Sequence, residues 1–140
     1  MILAERIIDN IVTILKSNNL NVTRRPIHLL EESGRDEVIV NMISNLIVDD
    51  QEFQRLHWEL SVSLIILVRS QNESDVNVMY SKIHSALYSD RVLSSLGDDS
   101  VYLELDGMSA IEEDEASGQY LLFKSVATIS YQTNELTLTN

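Results

Sequence analysis

At 140 residues the chain has the length of one domain around one sizeable core, and its 44% apolar and 23% charged residues exclude wholesale disorder. A formal charge of −12, from twenty-two Asp and Glu against ten Lys and Arg, excludes the clustered cations that displace counterions from phosphate in non-specific nucleic-acid binding. The lack of Cys removes disulfides and thiolate metal sites, and one Pro with four Gly leaves no linker-rich or low-complexity segment, so a single domain over residues 1–140 is expected.

The first predicted element is an amphipathic helix over residues 2–18. Leu3, Ile7, Ile8, Ile11, Ile14 and Leu15 form a broad apolar stripe, with Glu5, Arg6, Asp9, Asn10 and Lys16 mostly opposite. Such a stripe packs on a core, and the polar face lacks the Lys and Arg cluster of a membrane-surface helix. Glu5, Arg6 and Asp9 also break the apolar run that a signal peptide needs. No other segment is long enough for a membrane span, so an intracellular soluble protein with no membrane partner is expected. Ser17-Asn18-Asn19 ends the helix with residues that compete for backbone hydrogen bonds. Asn21–Arg25 reads as a short strand closed by Pro26, which suits an edge. After the polar turn Glu31–Asp36, Glu37–Ile43 reads as a strand. Leu46-Ile47-Val48 fits strand or loop equally before Asp49-Asp50-Gln51-Glu52.

Residues Leu56–Arg69 form the longest predicted strand. Trp58, Leu60, Val62, Leu64, Ile66 and Val68 alternate with His57, Glu59, Ser61 and Ser63, and from Leu64 to Val68 both faces are apolar. That change predicts a strand in the sheet interior, covered on both sides in its second half. The period then switches to 3.6 within a few residues. Val76, Met79, Tyr80, Ile83 and Leu87 share a helical face, Asn72 is the candidate cap, and Glu73 and Asp75 suit the first turn. The helix should end near Tyr88-Ser89-Asp90. Val92, Leu93 and Leu96 precede the turn signal Gly97-Asp98-Asp99, and Val101–Leu105 reads as a strand with Val101, Leu103 and Leu105 on one side. Glu112, Glu113, Asp114 and Glu115 lie in an acidic loop. The closing strand, Gln119–Thr133, alternates Leu121, Phe123, Ala127, Ile129 and Tyr131 against Tyr120, Lys124, Thr128, Ser130 and Gln132, leaving Asn134–Asn140 as a mobile tail. These elements predict an α+β fold, a mainly antiparallel or mixed sheet with two principal helices packed on one face.

The residues carry no catalytic signature. His28, His57 and His84 lie on separate elements without ligand spacing, and no Gly-rich phosphate loop or nucleophile motif occurs, so no enzyme activity, cofactor or metal is expected. The acidic runs at residues 49–52 and 112–115 lack calcium-loop spacing and read as solvated loops. Tyr80 and Tyr88 could stack on a ligand but sit where core or interface residues are usual. Arg24, Arg25, Arg69, Lys82 and Arg91 are candidates for pairing with a neighbouring subunit's acids.

Three segments together carry a family resemblance. The strand WELSVSLIILVRS runs straight into an Asn/Asp-rich helix start. Ile83, Ala86, Leu87, Asp90, Leu93 and Leu96 in IHSALYSDRVLSSLG follow the spacing I-x-x-A-L-x-x-D-x-x-L-x-x-L, with Ser94-Ser95 in place of a frequent Gly-Gly. Residues 129–133 close the acidic stretch and last strand with Ile-Ser-Tyr-Gln-Thr. In this order, over about residues 55–133, the chain resembles the tail terminator proteins of long-tailed bacteriophages, the lambda-type minor tail protein family. The resemblance implies a virion protein assembled in the host cytoplasm and placed at the head-proximal end of the tail. There it would form a homo-oligomeric ring, usually a hexamer, that stops tail-tube polymerisation and docks the head connector. DNA would pass through the lumen without specific binding, which the acidic charge suits. On this reading Asp49, Asp50, Glu52 and Phe53, Glu59 on the central strand, Arg69, Arg91, and Glu112, Glu113, Asp114 and Glu115 are candidates for subunit or tube contacts. Another head–tail joining or neck protein, or a small ligand-binding α+β domain, are the alternatives.

Overall fold

The computed structural model describes residues 3–24, 36–49, 55–69, 72–89, 102–111 and 121–134. In chain order these form helix α1 (Leu3–Ser17), strands β1 (Val22–Thr23), β2 (Glu37–Asp49) and β3 (Arg55–Val68), helix α2 (Glu73–Ser89), and strands β4 (Tyr102–Leu105), β5 (Ser109–Ala110) and β6 (Leu121–Asn134). The fold is α+β. One mixed sheet runs β1-β2-β3-β6-β4, with β5 also pairing β6 beyond β4. Among the described residues β1 and β2 pair in parallel and the other pairs are antiparallel.

The centre is the β3–β6 ladder, paired without interruption from Arg55↔Asn134 to Val68↔Leu121. Directly opposed residues share a face. Leu60, Val62, Leu64, Ile66 and Val68 therefore share a face with Ala127, Ile129 and Tyr131, and all are buried with the stripes of α1 and α2. Both helices thus cover one face. Burial of Leu3, Ile7, Ile8, Ile11 and Leu15 fixes α1, each side chain contributing about 1.5–3 kcal/mol relative to exposure. Ile14, at the margin of the stripe, is only half-buried.

On the opposite face a smaller cluster of Ile39, Ile65, Leu67 and Leu122 is buried, with Ile111 packed against it. This accounts for the two-sided apolar run at Leu64–Val68. It also shows that β6 is buried on both faces: Leu122 on this one, and Ser125, Ala127, Ile129 and Tyr131 on the helix-bearing one.

The helix ends follow local chemistry. The Asn72 side-chain oxygen accepts from the Ser74 N–H at 3.0 Å, capping α2 as its sequence suggests. At the end of α1, Leu20 N–H donates to Leu15 O and Asn19 N–H to Lys16 O, with Asn19 at φ 65°. Those paired bonds and the left-handed Asn make a Schellman stop, with Leu20 buried as Leu15 is.

Three boundaries differ from the sequence expectation. The strand expected over Asn21–Arg25 is only Val22–Thr23 among the described residues. Leu46-Ile47-Val48 is strand, continuing β2 to Asp49 rather than Ile43. Asn134, assigned to the tail, pairs with Arg55 in β6.

Candidate interaction surfaces

The two edges of the sheet are built differently. On the β4 side, Asp106 N–H donates to Val126 O of β6, so the N–H of Leu105, one residue earlier, faces away from the sheet. It donates to the Tyr88 hydroxyl at 2.8 Å. About two helical turns earlier, Tyr80 donates its hydroxyl to Asp106 O at 2.6 Å, and Ser125 Oγ donates to the same carbonyl at 2.9 Å. His84 lies between the two tyrosines, 4.6 Å from the Tyr88 ring and 6.2 Å from the Tyr80 ring. The aromatic stripe of α2 therefore clamps the β4–β5 segment. Tyr80 and Tyr88 do structural work here, with their hydroxyls on backbone groups.

On the β2 side, β1 pairs only with Val38 and Ile39, and Val38 N–H donates to Asn21 O. The alternation of a strand turns the main-chain groups of Val40 and Met42 to the same side; the Thr23↔Ile39 pairing engages the Val40 N–H with Thr23 O, and Met42 lies beyond β1. Among the described residues no strand pairs with that edge beyond Ile39. Met42, Ile43, Leu46, Ile47 and Val48 are 48–58% exposed, large aliphatics on a surface where polar residues would be more soluble. Irregularities in the register fall between Met42 and Ser44 and between Ile47 and Asp49. Such bulges re-aim side chains. Register places Ile47 beside Trp58 on the helix-bearing face and Leu46 beside Glu59 on the other, so both faces of the edge are apolar.

This outer half of β2 is held in place. Tyr131 donates its hydroxyl to Asn45 Oδ1 at 2.6 Å, reaching from β6 to β2 over the intervening strand. Its ring stacks on Trp58, centroids 6.2 Å apart and planes 9° from parallel, and Trp58 Nε1–H donates to Thr133 Oγ1 at 2.7 Å. Burial pushes the Tyr131 hydroxyl above its ordinary pKa of 10.0, opposed by the bond to Asn45. The phenol stays neutral and remains a donor at physiological pH.

The face without helices divides in two. Near Ile39, Ile65 and Leu122 it is apolar. Towards the β2–β3 end it carries Ser44, Ser61 and Thr128 in one register row, then Glu59 with Ser130 and Tyr102 in the next. Glu59, Glu104, Ser130 and Tyr102 are exposed there. Short hydroxyls and two carboxylates share this half with Leu46 and Tyr102, and Lys124 lies further back beside Ile65. Among the described residues this face offers no cation cluster for phosphate.

The structure brings few of the sequence-predicted contact residues together. Glu59 is exposed on the polar half-face, Asp49 ends β2 opposite His57, and Arg69 donates its N–H to Asp36 Oδ1 at 2.8 Å. Asp50, Glu52, Phe53, Arg91, Glu112, Glu113, Asp114 and Glu115 lie outside the described residues, as do Arg25 and His28. Arg24, a candidate for pairing with another subunit, is 3.5 Å from both Glu5 and Asp9 of its own α1. The exposed aliphatics of β2 were not among the predicted contacts. Their signal was present in the eleven uncharged residues from Val38 to Val48.

Among the described residues no group of His, Asp and Glu is arranged to hold a metal ion, and no helix is long and apolar enough to cross a membrane. A groove of about 460 Å³ between the end of α1 and α2 is lined by Asn18, Asn77, Val78, Ser81, Lys82 and Ser85, open and with one cation. No protein-family model matches the chain, and comparison with curated proteins gives no match.

Proposed function

We propose that this protein is a structural virion component of the tail-terminator type. Copies of it ring the head-proximal end of a phage tail tube, stop the tube from growing and give the head connector a surface to dock on. The observation that carries this reading is the division of the sheet's two faces. One is sealed by both helices, and the other presents Ser44, Ser61, Thr128, Ser130, Glu59 and Glu104 without a clustered cation. A ring that DNA must traverse needs an inner wall that does not hold phosphate, and short hydroxyls with carboxylates suit such a wall. The chain's charge of −12 acts in the same direction. The role is mechanical and calls for no catalytic group or cofactor. Its partners are further copies of itself, most simply six, with the tail-tube protein on one side and the connector on the other.

The test adds purified protein to polymerising tail-tube subunits and measures tube length by electron microscopy. Tubes that stop growing, with a ring of extra density at one end, are the expected result. Normal lengthening at saturating protein contradicts the reading. Binding to connector complexes alone, without any effect on tubes, assigns the protein to the neck instead.

A further inference from the structure

We infer that the outer half of β2, residues Met42–Val48, is the surface through which one copy of this chain binds another. The inference names the contact surface of the ring proposed above and rests on that reading for closure of the ring.

The first argument is electrostatic. Two chains of charge −12 repel at any approach that brings their acids together. From Val38 to Val48 there is no ionisable side chain, and this run forms the sheet edge. A second copy of an acidic protein can be accommodated along this run at little Coulombic cost, the bordering carboxylates being Glu59 beside Leu46 and Asp49 at the strand end.

The second argument is area. Five aliphatics about half exposed, Met42, Ile43, Leu46, Ile47 and Val48, present roughly 450 Å² of surface over the two faces of the edge, well inside the range of the largest apolar patch of a monomer. Matched by a similar area on a second copy and joined by the strand edge itself, the contact approaches the ~1,000 Å² at which specific interfaces begin. The third argument is order. Tyr131, Asn45 and Trp58 hold this half of β2 against the β3–β6 ladder, so its shape exists before binding and little conformational freedom is lost on association. The β4 edge, with Leu105 N–H taken by Tyr88, does not compete for the same role.

The full-length chain is tested by mass measurement across a concentration series, alone and with tail tubes. The double substitution Leu46→Lys with Ile47→Lys is compared with Val78→Lys, an exposed apolar position on α2. Self-association should weaken at least about a hundredfold in the double variant and stay near wild type in Val78→Lys. A second measurement does not depend on how the charged variant folds. Because the chain has no Cys, Leu46→Cys carries one thiol, and its reaction with a maleimide should slow at least about tenfold on assembly while Val78→Cys stays reactive. An assembled Leu46→Cys that reacts as fast as the monomer overturns the inference. So does a double variant that still assembles, and in that case tube capping by the wild type keeps the ring reading intact. Wild-type copies that associate through this edge but leave tubes growing support the inference and remove the ring reading. Wild-type copies that stay single in solution and on tube ends overturn both.

Discussion

The β4 and β2 edges belong to the same sheet and meet the same hazard, a row of unpaired main-chain groups that can template aggregation. The β4 edge answers it with shortness and cover: four residues, with Tyr88 accepting from the outward Leu105 N–H. Among the described residues the β2 edge does neither. It runs thirteen residues, keeps five aliphatics exposed, and carries no Lys or Pro to deter a partner strand. An edge built this way, yet held in place by Tyr131 and Asn45, is the one we assign to a second copy.

The comparison can be broken most severely from beneath the closed edge. Ile83 is fully buried on α2, and Ile83→Ala should cost about 2–5 kcal/mol by urea unfolding, loosening the helix that carries Tyr80 and Tyr88. Next comes the clasp on the open edge. Tyr131→Phe removes the bond to Asn45 and should cost about 1 kcal/mol or somewhat more, seen as a lower urea midpoint at unchanged slope. The same residue gives a pH test. Because the folded-state pKa of Tyr131 lies above its unfolded value, the native state holds the proton longer. Its stabilising contribution is complete below about pH 10 and falls away as pH rises through the folded pKa. Thermal melts of the wild type should therefore decline more steeply above pH 10 than those of Tyr131→Phe.

Tyr88→Phe frees the Leu105 N–H at a partly solvated site, for about 0.5–1 kcal/mol, and should speed exchange of that amide. The smallest effect is expected from Arg24→Ala. Its two 3.5 Å ion pairs to Glu5 and Asp9 are substantially exposed, so screening limits the loss to a few tenths of a kcal/mol, within the scatter of replicate melts.

Much of the scaffold is legible in the sequence because its periods are clean. The alternation from Trp58 to Val68 and the 3.6 spacing from Val76 to Leu87 map directly onto β3 and α2, and Asn72 caps the helix as its type suggests. The outer half of β2 is not legible for a physical reason. Bulges near Ile43 and Val48 interrupt the two-residue period, so Leu46-Ile47-Val48 presents three apolar residues in succession with no alternation to mark a strand. The candidate contacts were legible only in part. Charge directs attention to acidic loops, while exposed aliphatics look in a sequence like core. Only register and exposure distinguish Leu46, on an open edge, from Leu60, which is fully buried at the centre.

The most direct measurement is residue-resolved amide hydrogen exchange of the wild-type chain over a wide range of protein concentration. Leu105 should exchange slowly throughout, because Tyr88 of the same chain holds its N–H. Met42, beyond the reach of β1, should be fast when dilute and become protected as copies associate. Protection of Met42 that does not change between the monomeric and assembled protein would contradict the account.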